Sequence, residues 1–482
     1  MLIQHFFVEK IAHSSYILVG TRECAVVDPR RDVEVYLEWA RQRGFRIRLI
    51  LETHLHADFV SGHRDLAAAT GAEIVAPRAG GCRFPHRAVG EGDRLELEDL
   101  EIRVLETPGH TPEHVSYVVH DRARGADPVG VFCGDTLFVG DVGRPDLFPG
   151  RARDLATALY SSLHDKLLKL PDSCEVWPAH GAGSLCGRAM GAKWTSTIGY
   201  ERRNNRALGS ADRDEFVRSL TTRMPPAPDH FRRCSDINRD GPALVADLPQ
   251  PGPLGPAEFR QRSSGDATVL DVRSYDAFGG QHVPGSWNIP ETSNLPTFAG
   301  WVLPPDRPLL LVADDAAQAE RAATWLRRVG LDRVEGRLEG GMTGWSADGL
   351  PAGHVPQLSA TEAFELLHGS ERVAVVDVRS PLEFAAGHIE GAKSIPAPDL
   401  RERWRELDPA VRTMVACSTG QRSSLAAGIL RQHGFRRVLN LAGGMTGYSA
   451  SGHAPRCPVC FVPHGSHFLG RADAMVGPEA GD

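Results

Sequence analysis

The sequence predicts an α/β protein built from about three successive domains, and three observations support this prediction. The chain has 482 residues, which exceeds the size of one ordinary domain. Strand-like and helix-like runs alternate along the N-terminal half. Beyond a segment rich in proline and glycine, the sequence repeats itself. We therefore expect one α/β domain followed by two copies of another.

The N-terminal domain, predicted over residues 1–247, alternates strands with helices that end at glycine. We expect paired strands from YILVG and CAVVDP, a helix from VEVYLEWARQRG, a buried strand from IRLILET and a helix from HRDLAAATG. Cys24, Cys133 and Cys174 lie in strand-like apolar runs and are predicted to be core residues. The segment LPQPGPLGP, residues 248–256, is the predicted linker, because its composition excludes a helix or a central strand.

The repeat lies beyond this linker. The stretch LDVRSYDAFGGQHVPGSWNIP (270–290) aligns without gaps with VDVRSPLEFAAGHIEGAKSIP (376–396), and LEGGMTGW later matches LAGGMTGY. These matches predict two α/β domains, over residues 257–353 and 356–452, followed by a tail over residues 453–482. The tail carries Cys457-Pro-Val-Cys460, which could be a redox pair, a metal site with His464 and His467, or a frayed terminus.

Composition excludes several classes of partner. The net charge of −7, with arginines scattered along the chain, argues against nucleic acid and anionic membranes as partners. The sequence has no apolar run long enough for a transmembrane helix, and its first residues do not resemble a signal peptide. Nine cysteines, an odd number, predict no disulfide framework and hence a cytoplasmic protein. A homo-oligomer is expected because homo-oligomers are common.

Metal-ligating residue types follow four of the strand-like runs in the N-terminal half. His54 and His56 follow LILET, His110 follows IRVLETPG, Asp135 follows VGVFCG and His180 follows CEVWPA. Loops at strand ends meet at one edge of an α/β structure, so these residues are expected to lie close together. The pattern predicts a metal centre.

The stretch ETHLHADFVSGH lacks one residue of a two-metal motif. His54, His56 and Asp58 fit the start of His-x-His-x-Asp-His, but the final position is Phe59. A phenylalanine has no lone pair with which to bind a metal, and Asp58 with His180 alone would form a poor second site. The sequence therefore describes either a damaged two-metal site or a site built for one metal.

The motifs THLHAD, TPGHTPEH, GDTLF and PAHG, in this order, resemble the metallo-β-lactamase superfamily over residues 1–247. The resemblance implies a four-layer αβ/βα sandwich with metal at the edge of two sheets. A closer resemblance to persulfide dioxygenases implies one iron(II) per chain on His54, His110 and Asp135, with His56 as a neighbouring group or an extra ligand. Two imidazoles and a carboxylate suit non-haem iron(II), although zinc is also compatible.

These relatives convert a low-molecular-weight thiol persulfide, oxygen and water to a free thiol and sulfite, and the resemblance implies the same here. The run FVGDVGRPDL resembles the family's substrate-side loop, so Arg144 is the candidate to bind a carboxylate of the thiol carrier, with a salt bridge to Asp141 or Asp146 as the alternative. Cys186, six residues beyond His180, could accept or relay sulfane sulfur, or be a buried core residue. Glutathione and coenzyme A are both possible carriers.

The second copy contains a candidate reactive cysteine in VACSTGQRSS. Cys417 ends a strand-like run, and a short loop with Gly420 and Arg422 then opens a helix. Backbone N–H groups and the positive helix end favour a thiolate or a bound persulfide there. The loop and its flanking motifs resemble the rhodanese family over residues 356–452, which implies transfer of sulfane sulfur among persulfide, sulfite and thiosulfate. A phosphatase loop would have one more residue between cysteine and arginine. An inert core cysteine is the other alternative.

The first copy has Asp314 at the position of the cysteine, so residues 257–353 are predicted to be an inactive rhodanese-like domain. Together the sites predict an enzyme of sulfide detoxification that is both a dioxygenase and a sulfurtransferase. Two alternatives stay open at this stage. One is a zinc-dependent thioester hydrolase of the glyoxalase II type, against which Phe59 argues. The other is a non-catalytic sulfur carrier or sensor, against which the complete ligand set argues.

Overall fold

The computed structural model describes residues 1–209, 212–222, 224 and 226–453. The predicted redox or metal motif at Cys457 and Cys460 lies outside these residues. Within them, no helix is long and apolar enough to cross a membrane. The chain forms four β-sheets, two in the N-terminal domain and one in each copy of the repeat.

Two six-stranded sheets form the centre of the N-terminal domain. The first has its strands in chain order: β1 (Leu2–Val8), β2 (His13–Val19), β3 (Glu23–Val27), β4 (Arg46–Leu51), β5 (Glu73–Pro77) and β6 (Arg87–Val89). The second runs from edge to edge in reverse chain order and contains β7 (Arg94–Leu97), β8 (Leu100–Glu106), β9 (Val115–Asp121), β10 (Pro128–Gly134), β11 (Glu175–Pro178) and β12 (Ser196–Thr197). The predicted pairing of YILVG with CAVVDP is confirmed, because β2 and β3 are antiparallel neighbours.

Within the described residues this domain has six α-helices, of which the first five pack on the outer faces of the two sheets and the sixth packs beside Ala57. They are α1 (Glu34–Arg43), α2 (His63–Thr70), α3 (Ala152–Ser161), α4 (Ile198–Asn204), α5 (Arg213–Thr221) and α6 (His230–Asp240). The predicted glycine stops are confirmed: Gly44 and Gly71 follow α1 and α2 with φ of +73° and +70°. Glycine suits these positions because it has no Cβ to oppose a left-handed backbone.

Alternating side chains explain why both faces of each sheet are buried. Leu18 and Tyr117 point between the two sheets, into a core that draws on both of them. Their neighbours Ile17 and Val118 point outward and pack against helices. Successive residues of a strand face opposite sides, so each strand contributes to two cores. The result is the predicted αβ/βα sandwich, with Cys24, Cys133 and Cys174 fully buried in it.

The two copies of the repeat have the same topology, with five parallel strands in the order first, fifth, fourth, second, third. The first copy contains β13 (Pro253–Leu254), α7 (Pro256–Ser263), β14 (Thr268–Asp271), α8 (Tyr275–Gly280), β15 (Trp287–Asn288), α9 (Leu295–Val302), β16 (Leu309–Val312), α10 (Ala316–Arg328), β17 (Val334–Leu338) and α11 (Gly341–Ala347). The second contains β18 (Gln357–Leu358), α12 (Ala360–His368), β19 (Val373–Asp377), α13 (Pro381–Ala386), β20 (Lys393–Ser394), α14 (Leu400–Arg403), β21 (Arg412–Ala416), α15 (Gln421–Gln432), β22 (Val438–Leu441) and α16 (Gly444–Ala450).

The segment predicted as a linker also takes part in the first copy's sheet. Its residues Pro253–Leu254 form β13, an edge strand that pairs with β17. An edge position tolerates proline because one side of the strand needs no ladder hydrogen bond. The two copies share one apolar core, which contains Leu311 from the first and Val415 from the second. They therefore pack as a pair.

Candidate functional site

Three of the predicted metal ligands converge on one point at the ends of their strands. His54 follows β4, His110 follows β8 and Asp135 follows β10, and all three are buried. Asp135 Oδ2 lies 3.8 Å from His54 Nε2 and 3.3 Å from His110 Nε2. One atom from each residue lies within 4.8 Å of the others, so one ion could bind all three.

The outer atoms of the two histidines are held by hydrogen bonds. His54 Nδ1 lies 2.9 Å from the Thr53 hydroxyl, and His110 Nδ1 donates to the Arg144 carbonyl at 2.9 Å. In contrast, the inward-facing His110 Nε2 and Asp135 Oδ2 have no hydrogen-bond partner among the described residues. Buried polar atoms normally have partners. Oriented rings with unpartnered inner atoms are the arrangement that a metal ion requires.

The protonation states of the three residues also suit a metal. Burial lowers the pKa of His54 and of His110, so both imidazoles are neutral at pH 7. Burial opposes ionisation of Asp135, but the imidazoles of His180 and His110 hold the pKa of its carboxyl below the ordinary value. A metal binds neutral imidazole and ionised carboxylate, so little proton release need accompany binding.

His180 lies between two carboxylates beside this trio. Its Nδ1 is 2.7 Å from Asp135 Oδ1, and its Nε2 is 2.8 Å from Asp58 Oδ2. Burial disfavours the charged imidazole, but Asp135 and Asp58 raise the pKa of His180 well above its ordinary value. The ring therefore bridges the two carboxylates as a cation. His56, Asp58 and His180 also lie close enough to bind one ion, with Phe59 in the position of the missing histidine.

His56, predicted as a neighbouring group or an extra ligand, contacts a different carboxylate. Its Nε2 lies 3.1 Å from Asp28 Oδ1. Asp28 also accepts hydrogen bonds from the backbone N–H and the hydroxyl of Thr53, at 2.8 and 2.9 Å. Asp28 thus orients the residue that precedes His54. This geometry fits His56 as a neighbouring group, and its role as a ligand stays a prediction.

His114 is a site residue that the sequence reasoning missed. Its Nε2 accepts a hydrogen bond from the Asp135 N–H at 3.0 Å, and its ring stacks on His54 at 4.8 Å between centroids. Its Nδ1 is 2.9 Å from the Thr107 hydroxyl. Burial lowers the pKa of His114 to about 3, which keeps the ring neutral and able to accept. His114 stands in the motif TPGHTPEH, and this position is the sequence feature that could have indicated its place at the site.

Asn238, on α6, is a second missed residue. Its amide donates to the carbonyls of His56 and Phe59, both at 2.8 Å, and its oxygen accepts from the Ser61 N–H at 2.9 Å. An unpaired buried polar group costs about 1–3 kcal/mol, so Asn238 stabilises the loop that carries the metal motif. No sequence pattern signals this role, because the two segments lie far apart in the chain.

The side chain of Arg144 is paired with a carboxylate of the same loop. Its guanidinium is 1% exposed and makes two hydrogen bonds to Asp146, at 2.7 and 2.8 Å. It also donates to the Leu185 carbonyl at 3.1 Å. The salt bridge kept as the alternative is therefore the one observed. Arg144 acts on the site through its own carbonyl, which accepts from His110.

Cys186 lies beside the metal trio, as its distance from His180 in sequence predicted. Its sulfur belongs to a buried group with Asp135 and His180 whose ligand atoms lie within 4.8 Å of one another. Burial, with Asp58 and Asp135 nearby, raises the pKa of the Cys186 thiol well above its ordinary value. A neutral thiol is a weak nucleophile. Its role in accepting sulfur stays a prediction.

Cys417 follows β21 and is fully buried at the start of a loop that leads into α15. The Gly420 N–H donates to the Cys417 sulfur at 3.1 Å, and the Ser423 hydroxyl donates at 3.3 Å. Gly420 has φ of +97°, which favours glycine, and it caps the N-terminus of α15. Donors and a positive helix end thus face the sulfur.

The arginine of this loop is held inside the domain. Arg422 donates to both carboxylate oxygens of Glu383, at 2.9 and 2.8 Å, and to the Ser418 hydroxyl at 2.7 Å. The GGMTGY motif supports the loop from its other side. The N–H of Met445, at the start of α16, donates to the Cys417 carbonyl at 2.7 Å. A Cβ at Gly444 would collide with that carbonyl, so the close approach requires glycine.

The corresponding loop of the first copy carries a different arrangement. Asp314 is exposed, and its N–H donates to the side-chain oxygen of Gln318 at 2.8 Å. The next residue, Asp315, caps α10 by accepting from the Gln318 N–H. The carboxylates of Asp314 and Asp315 therefore lie at the N-terminal end of α10. The prediction that the first copy does not transfer sulfur is consistent with this geometry.

Comparison with known proteins places this geometry in a family. A model of the metallo-beta-lactamase superfamily matches residues 9–180. A crystal structure of a metallo-beta-lactamase from Staphylococcus aureus subsp. aureus COL is 33% identical, with a TM-score of 0.64, and the match covers 70% of this chain and 98% of that one. The chain belongs to the metallo-β-lactamase superfamily. A rhodanese-like domain model matches residues 255–348 and 359–451, so two rhodanese-like domains follow the metallo-β-lactamase domain.

Relatives of the metallo-β-lactamase domain carry two different activities in their names. The hydroxyacylglutathione hydrolase of Rhodospirillum rubrum is 40% identical over 33% of this chain, a match that spans 58% of the relative's own length. The mitochondrial persulfide dioxygenase ETHE1 of Mus musculus is 28% identical over 47% of this chain and 84% of its own. Sequence similarity alone does not decide between these activities.

A cavity of about 460 Å³ lies beside Ala57, the residue between His56 and Asp58 of the motif. Ala57 also packs in one apolar cluster with Cys186 and Phe231. The cavity is lined by Ala57, Leu147, Phe148, Pro149, Arg151, Phe231, Arg232, Ser235, Asp236 and Arg239.

Proposed function

We propose that the metallo-β-lactamase domain is an iron(II)-dependent persulfide dioxygenase. It would convert a low-molecular-weight persulfide, oxygen and water to thiol and sulfite, RSSH + O₂ + H₂O → RSH + H₂SO₃. The mouse relative named as a persulfide dioxygenase supports this reaction. The two rhodanese-like domains support it as well, because sulfur transfer can consume or supply the same persulfide and sulfite.

The observation that carries the proposal is the contrast between two neighbouring groups of ligands. His54, His110 and Asp135 present inner atoms to one point, with their outer atoms fixed by hydrogen bonds. In the second group, the His180 ring already bridges two carboxylates, and Phe59 supplies no ligand. One complete site beside one incomplete site favours a single-metal enzyme over a two-metal hydrolase.

The chain's own residues would prepare this site for one ion. Thr53 and the Arg144 carbonyl fix the ring orientations of His54 and His110, and His180 fixes the carboxylate of Asp135. An iron(II) ion held there supplies redox chemistry toward oxygen and a positive charge that attracts a deprotonated persulfide. The cluster of Ala57, Phe231 and Cys186 lines the approach with apolar surface and limits water near the reacting sulfur.

Three arginines replace Arg144 as candidates for binding the thiol carrier. Arg151, Arg232 and Arg239 line the cavity beside Ala57. Guanidinium groups match carboxylate and phosphate oxygens with two parallel donors. An acidic thiol such as glutathione or coenzyme A could therefore place its charged groups at these arginines and direct its persulfide toward the metal.

For the second rhodanese-like domain we propose sulfur transfer at Cys417. The thiol would take the outer sulfur of a persulfide, giving Cys417–SSH and free thiol, and then pass it to sulfite as thiosulfate, or run in reverse. The Gly420 N–H and the Ser423 hydroxyl face the sulfur and would stabilise its anionic form. The first rhodanese-like domain, with Asp314 at this position, is proposed to be inactive.

The test is oxygen uptake by full-length protein loaded with iron under anaerobic conditions and then given glutathione persulfide, with metal counted per chain. We expect one iron per chain, oxygen uptake and one sulfite released per oxygen. His110→Ala should lose uptake, because it removes a ligand. His164→Ala is the matched control, since that histidine stacks on Tyr160 away from the metal trio.

Two results would contradict the proposal. Two zinc ions per chain with no oxygen uptake would favour a thioester hydrolase, for which S-lactoylglutathione is the test substrate. The second result is obtained if Cys417 is loaded with sulfur but the iron-loaded protein takes up no oxygen with either glutathione persulfide or coenzyme A persulfide. That result would favour a sulfur carrier.

A further inference from the structure

Helix α10 of the first rhodanese-like domain packs directly on the loop that carries the metal motif. Phe59 is fully buried in a small apolar cluster with Val8, Ile11 and Trp325. Trp325 comes from α10, whereas Phe59 lies one residue beyond Asp58 of the motif. The residue that replaces a metal-binding histidine therefore belongs to the apolar cluster against which the first rhodanese-like domain packs.

Polar contacts hold α10 at this position. The N–H of Val60 donates to the carbonyl of Arg328, the last residue of α10, at 2.7 Å. The Arg328 guanidinium makes two hydrogen bonds to Asp32, at 2.7 and 2.8 Å, and stacks over the Trp325 ring at 4.1 Å. A backbone bond, a bidentate ion pair and a stacked cation thus converge on two residues of α10.

The other side of Phe59 contacts histidines of the metal site. Its ring centroid lies 4.4 Å from that of His56 and 4.0 Å from that of His13. His13 and His56 are both buried. The ring nitrogens of His13 make no hydrogen bond within the described residues, whereas His56 Nε2 lies 3.1 Å from Asp28 Oδ1. The packing of Phe59 therefore contributes to fixing the ring of His13, and at His56 it adds to the contact with Asp28.

We propose that the first rhodanese-like domain is a positioning element of the metal centre, in which Trp325 acts through Phe59 on the ring of His56 and on the loop that bears His54. The proposal assigns a role to a domain that has no cysteine for sulfur transfer. It rests on the proposed function only in requiring that His54, His110 and Asp135 bind a metal. It does not depend on which reaction the metal supports.

The test measures the metal site itself in the full-length chain. We expect Trp325→Ala to release bound metal to a chelator about tenfold faster or more, the range seen when groups that orient ligands are lost. The absorption spectrum of the cobalt(II)-substituted protein, which reports ligand geometry, should shift as well. Trp325→Phe should restore most of the wild-type rate of metal release and of the wild-type cobalt(II) spectrum, since an aromatic ring would again pack against the Phe59 cluster.

The matched control is Trp287→Ala. Trp287 and Trp325 both pack against the core that the two rhodanese-like domains share, but Trp325 is the one that also packs against the Phe59 cluster. Trp287→Ala should leave the rate of metal release and the cobalt(II) spectrum unchanged. Asp32→Asn provides a milder second variant, because it weakens the Arg328 ion pair from the metallo-β-lactamase side without removing a core side chain. It should shift metal release in the same direction.

A double-mutant cycle tests whether Trp325 acts through Phe59. If it does, Phe59→Ala combined with Trp325→Ala should release metal little faster than the more severe single variant. Metal release and spectra equal to wild type in Trp325→Ala, or equally altered in Trp287→Ala, would overturn the proposal. Oxygen uptake does not enter these measurements. A failed dioxygenase assay alongside faster metal release in Trp325→Ala would therefore reject the proposed reaction and leave the positioning role standing.

Discussion

At the scale of single residues, the metal centre depends on groups that would not themselves bind the metal. Asp28 orients Thr53, the Arg144 carbonyl orients His110, and His180 orients Asp135. His114 holds the backbone of Asp135 and stacks on His54. Such groups fix the positions of the ligands before a metal arrives, which lowers the cost of binding.

His114 gives a direct test of this idea. We predict that His114→Asn weakens metal binding about 10- to 100-fold, because the Asp135 N–H loses its acceptor and the His54 ring loses its stacked neighbour. Competition with a chromophoric chelator measures the dissociation constant. His120→Asn is the control, since His120 lies on β9 and its Nδ1 contacts the Ala126 carbonyl. An unchanged constant in His114→Asn would contradict the prediction.

The convergence of His54, His110 and Asp135 could be predicted from sequence, because each follows a strand and stands in a short motif. Their role as metal ligands stays a prediction. Asn238 and His13 lie beside the site through contacts with residues far away in the chain, and no local pattern records such contacts. For Arg144, the sequence left open a substrate contact or a salt bridge to Asp141 or Asp146, and the structure shows the salt bridge to Asp146.

At the scale of elements, α6 connects the metal loop with the first rhodanese-like domain. Its buried residues His230, Phe231, Cys234 and Asn238 share one face at helical spacing. Asn238 holds the loop, and Phe231 lines the cavity beside Ala57. Arg233, on another part of the helix, donates to the Val329 carbonyl of the neighbouring domain at 2.9 Å.

The buried His230 makes the stability of this helix depend on pH. Burial lowers the pKa of His230 to about 3, whereas an unfolded histidine titrates near ~6.5. At pH values between the folded and the unfolded pKa, His230 binds a proton in the unfolded chain but not in the folded one. Its contribution to the free energy of unfolding therefore falls as pH falls, by about 1.4 kcal/mol per pH unit. We predict that His230→Asn reduces the acid slope of the unfolding free energy by about this amount.

Urea titrations of metal-free protein at several pH values between the folded and unfolded pKa give this slope. The comparison uses the change with pH, so a constant loss of stability in the variant does not affect it. His388→Asn is a suitable control, because its ring is exposed and stacks on Phe384 at the surface. Equal slopes for His230→Asn and wild type would show that His230 takes up its proton before unfolding.

At the scale of the whole molecule, the two proposed activities belong to separate sites that one middle domain contacts. The first rhodanese-like domain packs through Trp325 on the cluster of Val8, Ile11 and Phe59 and, at its other side, on the Cys417 loop. There, the ring of Tyr275 lies against Gly420, and Asn288 accepts from the Ser424 hydroxyl at 2.6 Å. The sequence predicted two separate copies of one fold, but it did not predict their shared core, since facing surfaces depend on packing.

We predict that Cys417→Ser abolishes sulfur transfer from thiosulfate but leaves oxygen uptake with glutathione persulfide within about twofold of wild type, a difference of about 0.4 kcal/mol. The reason is that Cys417 lies in the second rhodanese-like domain, whereas the metal trio lies in the metallo-β-lactamase domain. Parallel assays of thiosulfate-dependent transfer and of oxygen uptake measure the two activities. Cys82→Ser, at a partly buried cysteine, is the control. A large loss of oxygen uptake in Cys417→Ser would mean that the two sites work as one.

The packing of Trp325 against the cluster of Val8, Ile11 and Phe59 also limits how far the chain is modular. A protein cut after residue 247 would keep every residue of the metal trio but would present Phe59, Val8 and Ile11 to solvent without their cover from α10. It would also lose the carbonyl that accepts from the Val60 N–H. The sequence boundary between the metallo-β-lactamase domain and the first rhodanese-like domain is therefore not a place where this protein can be cut into two independent parts. The metallo-β-lactamase domain and the first rhodanese-like domain are expected to be inherited, expressed and engineered as a single unit.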